Sequence, residues 1–156
     1  MSQPAFSSNK RSAMTNTYNN ILHKLSVFKG TLDQINNATS DAILAPLAST
    51  AKIATSELRR LNEQYMRQWK SWKTKIKDEA VDKAAEEQVM DDYFKDDGNG
   101  NDCHPEVVEE AMEELASQLL AALNGKSEEF LLVAKLRATQ LHTAVANNTT
   151  VPQPQV

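Results

Sequence analysis

The densest run of potential ligands in the chain is Asp96-Asp97-Gly98-Asn99-Gly100-Asn101-Asp102, followed directly by Cys103-His104. Hard oxygen donors around glycine suggest calcium. With Gly100 at the sixth position of a twelve-residue calcium loop, Asp97, Asn99 and Glu106 fall on ligand positions, but the first ligand would be Lys95. An ammonium cannot coordinate a cation, so the spacing predicts an acidic connector over 96–104. Cys103 and His104 are adjacent soft donors with no second pair at zinc spacing, and no metal site is expected from them.

A second chemistry-bearing stretch is basic and aromatic. Arg67, Lys70, Lys73, Lys75 and Lys77 interleave with Met66, Trp69, Trp72 and Ile76. That alternation is compatible with a polyanion-binding stripe whose tryptophans stack on bases, with an interfacial membrane helix, and with a calmodulin-type target. The competing account places the tryptophans in a helical seam and the lysines on its solvated rim.

Catalytic patterns are missing from the sequence: there is no glycine-rich phosphate loop, no Gly-x-Ser-x-Gly elbow, no His-Glu-x-x-His and no paired Cys-x-x-Cys. His23, His104 and His142 are scattered, without an acid and nucleophile at triad spacing. The expectation is a non-enzymatic chain with no catalytic residues, no cofactor and no small-molecule substrate.

The elements that would carry these residues are helical. Four glycines and five prolines in 156 residues leave little turn chemistry for a many-stranded fold, so the class is all-α. No apolar run reaches the roughly 18 residues a membrane span requires. The N-terminal residues lack the apolar middle of a secretory signal, and Cys103 is the single cysteine; both point to an intracellular, cytoplasmic chain.

Met14, Tyr18, Ile21, Leu25, Phe28, Leu32 and Ile35 recur at alternating spacings of four and three, the period of a helical seam. Gly30 lies inside it and weakens the helix by about 1 kcal/mol relative to alanine. Asn36 to Asp41 compete with helical hydrogen bonds and Pro46 follows, which predicts a break near 36–46. A second seam then runs Leu47, Ala51, Ala54, Leu58, Leu61, Tyr65 and, after a slip of one residue, Trp69, Trp72, Ile76 and Ala80. Without glycine or proline from Leu47 to Tyr93, one helix is expected over 47–93. The predicted association seam is therefore Ile21, Leu25, Phe28, Leu32, Ile35, Leu58, Leu61, Tyr65, Trp69, Trp72 and Ile76. It closes either as an antiparallel hairpin or as a coiled coil with another helical protein or a second copy.

Beyond the acidic connector, Pro105 opens a helix with Glu106, Glu109 and Glu110 near its N-terminus. Val108, Met112, Leu115, Leu119 and Leu123 form its apolar face; Asn124-Gly125 is a stop signal. Ser127 can cap a following helix with Phe130, Ala134, Arg137, Leu141 and Val145 on one face and Leu131 and Ala138 beside it. The expected layout is a disordered arm over 1–11, a long helical region over 12–95, the loop 96–104, a helical hairpin over 105–146 and a linker-like tail over 147–156.

Net charge hides an asymmetry. Met1 to Lys77 carry 12 Lys and Arg against 4 Asp and Glu, or +8, whereas Asp78 to Val156 carry 5 against 17, or −12. Such a sequence dipole favours halves that fold on one another, head-to-tail copies, or a basic half that meets a polyanion.

Three segments together resemble the N-terminal region of Gag-like polyproteins of BEL/Pao-type LTR retrotransposons. They are Leu25-Ser26-Val27-Phe28-Lys29-Gly30, then Glu57-Leu58-Arg59-Arg60-Leu61 through Trp69 and Trp72, and Glu86-Glu87-Gln88-Val89-Met90-Asp91-Asp92-Tyr93-Phe94. The resemblance covers about residues 20–95. It implies self-assembly, association with RNA, and a fragment of a longer polyprotein leading out through Pro152-Gln153-Pro154. The Leu-Pro-rich segment, zinc knuckles, protease and polymerase of such polyproteins have no counterpart in these 156 residues.

Overall fold

The computed structural model of the chain describes residues 5–95 and 103–150, with side chains as far as Thr143. Among the described residues there are four helices and no strand: α1 Ser7–Asn36, α2 Asp41–Glu79, α3 Lys83–Lys95 and α4 Pro105–Thr150. The all-α expectation holds.

α1 and α2 form the antiparallel hairpin. The break is shorter than predicted, confined to Asn37–Ser40, because Pro46 sits inside α2 rather than ending anything. In the second turn a proline forfeits a single ladder bond, to the Ala42 carbonyl, and the helix has already started on Ser40, whose carbonyl accepts the Ile43 and Leu44 amides. Both seams then close on each other and on the first half of α4. Met14, Ile21, Leu25, Phe28 and Ile35 of α1, Leu58, Leu61, Tyr65, Trp72 and Ile76 of α2, and Val108, Met112, Leu115 and Leu119 of α4 make one continuous core. α4 runs antiparallel to α2, since Met112 lies beside Leu58 and Asn62 whereas Leu123 lies beside Ala48 and Ala51.

Several boundaries differ from expectation, each for a local reason. The helix expected over 47–93 is two, α2 and α3, because Ala80 adopts an extended ψ of 127° and Asp82 caps the new helix, its Oδ1 accepting the Ala85 amide at 3.1 Å. The arm expected to be disordered over 1–11 is ordered from Ala5, and Ser7 is buried, because α3 supplies the cap that the local sequence lacks. The hairpin expected over 105–146 is a single helix of 46 residues. Gly125 does not take the left-handed conformation that a glycine stop needs. A lone helical glycine costs only about 1 kcal/mol, and the strong helix formers on both sides carry the ladder through. Asn147 to Thr150 continue the same helix where a tail was expected. The connector Asp96–Asp102, the first four residues and residues 151–156 lie outside the described residues.

Candidate functional site

At one end of the bundle α3 crosses the N-terminus of α1 and the C-terminal part of α2. The α1 amides there have no capping side chain of their own. Glu86 of α3 fills that role: one carboxylate oxygen accepts from the Ala5 amide and, at 3.4 Å, from that of Phe6, while the other accepts from Ser7 at 2.9 Å. Glu86 is 2% exposed. Burial alone would raise its carboxyl pKa, but the Ser7 hydroxyl and the amides of Ala5, Ser7 and Phe6 outweigh burial and hold it below the usual carboxylate value. The positive end of the helix adds to this. Ser7 in turn accepts from Trp72 Nε1 at 2.7 Å. The set Trp72–Ser7–Glu86 is buried and locks three helices together.

Beside it lies an aromatic cluster. Tyr65 donates to the Cys103 carbonyl at 2.5 Å, so the 2.6 Å contact with Tyr93 has Tyr93 as donor. Burial pushes the Tyr65 phenol well above its ordinary value and that of Tyr93 to about 12. Cys103 is buried, with its thiol toward the Tyr93 carbonyl at 3.4 Å. His104 Nδ1 accepts the Glu106 amide at 3.2 Å in the first turn of α4, and its ring lies against Trp69 and Phe94 at 4.8 and 4.9 Å. The two soft donors singled out in the sequence thus tie α3 and α4 to the core. Among the described residues no group of three metal-ligating side chains converges.

The predicted association seam is the chain's own interior. Ile21, Leu25, Phe28, Ile35, Leu58, Leu61, Tyr65, Trp72 and Ile76 are buried, and Leu32 and Trp69 are half-buried against the same core. These residues are therefore not a surface that a partner helix could use, a relocation dictated by α4, which covers the third side of the α1–α2 hairpin. The predicted polyanion stripe divides. Arg67, Lys70, Lys73 and Lys77 are exposed on the outer side of α2, with Arg59 and Arg60. Lys75 is half-buried over the Phe6 ring at 4.9 Å, and Lys73 stands over Trp69 at 3.6 Å. Trp72 is fully buried, and Trp69 is half-buried with Lys73 over its ring and Phe94 and His104 against it, so neither is a free stacking platform.

One surface was not foreseen. Beyond Phe130, α4 overruns the α1–α2 turn, and every residue from Leu131 to Thr143 is exposed. Leu131, Leu132, Leu136 and Leu141 are 54 to 67% exposed. Those thirteen residues span about 20 Å at 1.5 Å each. The hairpin expectation concealed them, since it folded them back on the preceding helix. Between α2 and α4, directly behind this overhang, an open groove of about 590 Å³ is lined by Ala48, Ala51, Thr55, Ala116, Leu119, Leu120 and Leu123 among others.

Comparison with family models, curated proteins and solved structures gives no match. Among the described residues no helix is long and apolar enough to cross a membrane.

Proposed function

We propose that this is a non-enzymatic, self-associating helical protein of the cytoplasm, with a Gag-like origin in a retroelement. The observation that carries the reading is the bare overhang of α4. A run of leucines exposed on a helix with no neighbour among the described residues is an unusual surface for a chain that otherwise buries its seams, and burying it would contribute about 25 cal/mol for each Å² covered. The Gag-like component rests on the three segments quoted within residues 20–95. Sedimentation of the full chain across a hundredfold range of concentration tests association. A mass that rises with concentration at both low and high salt, and falls back to that of one chain in Leu131→Asp/Leu141→Asp, is the expected result. A single-chain mass throughout would sink the reading.

A second reading has its own support in the exposed cations Arg59, Arg60, Arg67, Lys70, Lys73 and Lys77 of α2. With both tryptophans engaged in the bundle, an RNA strand would be held through its phosphates and not by stacking. Binding to poly(U) would then fall steeply as salt rises, with a slope of about −0.7 for each phosphate neutralised. Affinity independent of salt, or no binding at low salt, would discard it.

A further inference from the structure

We infer that the α4 overhang of one copy occupies the α2–α4 groove of a second copy, in a reciprocal pair with the two-fold axis at Gly125. This deepens the self-association reading and rests on it. The groove has the chemistry of an unfilled helix seat. Its floor is small and apolar, with Ala48, Ala51 and Ala116 allowing the backbone of a second helix to approach closely and Leu120 exposed at its edge. It continues into a second hollow of about 310 Å³ that shares Thr55, Arg59 and Ala116 and ends at Glu109 and Glu113.

The chain's own overhang cannot reach this seat, because α4 is continuous and carries it away from the bundle. A second copy laid antiparallel brings it there. With the axis at Gly125, Phe130 of one copy meets Leu120 of the other, Ala134 meets Ala116, and Arg137 meets Glu113. Small residues then oppose small ones, and the bases Lys135 and Arg137 arrive at the acidic end of the groove. At the axis the two helices must cross closely. Apart from its own helix backbone and chain neighbours, no described atom lies within 4 Å of a Cβ placed on Gly125, so this point is open. The contact is isologous and closed, which limits the assembly to two chains. The Asn124-Gly125 stop signal acquires a meaning in this arrangement: the fold-back it would produce within one chain is replaced by the same packing between two.

Disulfide trapping in the full chain tests the register. Ala116→Cys/Ala134→Cys, oxidised under mild conditions, is expected to run as a covalent dimer on a non-reducing gel, with oxidised unsubstituted protein as control for Cys103. Mixing the two single variants should give the mixed dimer in excess over either homodimer. A monomer that has lost both introduced thiols would mean fold-back within one chain, and a preferred Ala134→Cys homodimer would mean parallel pairing; either overturns the inference. Arg137→Glu should weaken the dimer at least tenfold, and Glu113→Lys added to it should restore affinity. A dimer by sedimentation that shows neither the 116–134 link nor charge-swap rescue refutes this register while self-association stands. A single-chain mass at every concentration refutes both.

Discussion

Trp72 donates its indole N–H to the hydroxyl of Ser7 across 2.7 Å, joining residues 65 positions apart. The bond fixes where α1 begins, since Ser7 also presents its amide to Glu86. One indole therefore fills the core and orients the serine that the α3 carboxylate needs.

Replacing Trp72 should accordingly cost far more than replacing Trp69. Trp72 is 0% exposed, and Trp72→Ala is expected to lower unfolding free energy by about 3–5 kcal/mol. Trp69 is half-buried at the edge of Phe94 and His104, so Trp69→Ala should cost less than about 2 kcal/mol. Urea titrations of the two variants measure the difference. Equal losses would show that the α3 end is not packed as described.

Glu86 sets the acid limit of the fold. Its folded pKa lies below the ordinary value of 4.5, so the charged form is favoured on folding. The resulting stability is fully present above the unfolded value and drains away as pH falls through it towards the folded one. Between about pH 5 and pH 3 the urea midpoint of the natural chain should fall more steeply than that of Glu86→Gln. At neutral pH the variant should already be destabilised by about 1–3 kcal/mol, because an amide cannot accept from these amides without turning its own N–H groups on them. Parallel pH dependence in the two proteins would remove Glu86 from that role.

The seams were legible because a helical period survives in a one-dimensional list: Met14 to Ile35 and Leu47 to Ile76 fall on one face whatever the partner. Which partner they meet was not legible. Only the position of α4 decides that Leu58 and Tyr65 pack inside one chain. The α2–α3 corner was missed because Ala80-Val81-Asp82 contains neither glycine nor proline, and an N-capping aspartate in an acidic stretch looks like one more helix surface charge. Glu86 did leave a trace, since it shares with Met90 and Tyr93 the stripe that faces the core. At Asn124-Gly125 the sequence offered the residues of a stop, but the stop depends on a left-handed φ that packing did not impose.

Gly30 offers a stabilising change. It lies on the exposed side of α1, helical, and apart from its own helix backbone and chain neighbours no described heavy atom is within 4 Å of a Cβ placed there. Gly30→Ala removes backbone freedom from the unfolded chain without a clash, and should raise stability by about 0.5–1 kcal/mol. A rise of a few degrees in the thermal midpoint is the readout; a fall would mean that a neighbour occupies that side of α1.

The tyrosine pair sets the alkaline limit. Both phenols are raised by burial, Tyr93 to about 12 and Tyr65 further, from an ordinary value of 10.0. A raised phenol pKa means that folding favours the neutral form, so this contribution is complete below pH 10 and is lost as pH rises from there through the folded values. Tyr65→Phe removes two buried hydrogen bonds, the one to the Cys103 carbonyl and the one from the Tyr93 hydroxyl, at a cost of about 1–3 kcal/mol at pH 7. Tyr65→Phe/Tyr93→Phe removes the buried Tyr93 hydroxyl as well, and should recover part of that loss in a double-mutant cycle. The double variant should also resist alkali better: ultraviolet titration of the natural chain is expected to show phenolate absorbance at these two sites only together with unfolding above pH 10, whereas helicity of the double variant should persist to higher pH. Phenolate formation by both buried tyrosines near pH 10 with helicity intact would mean that they are open to solvent.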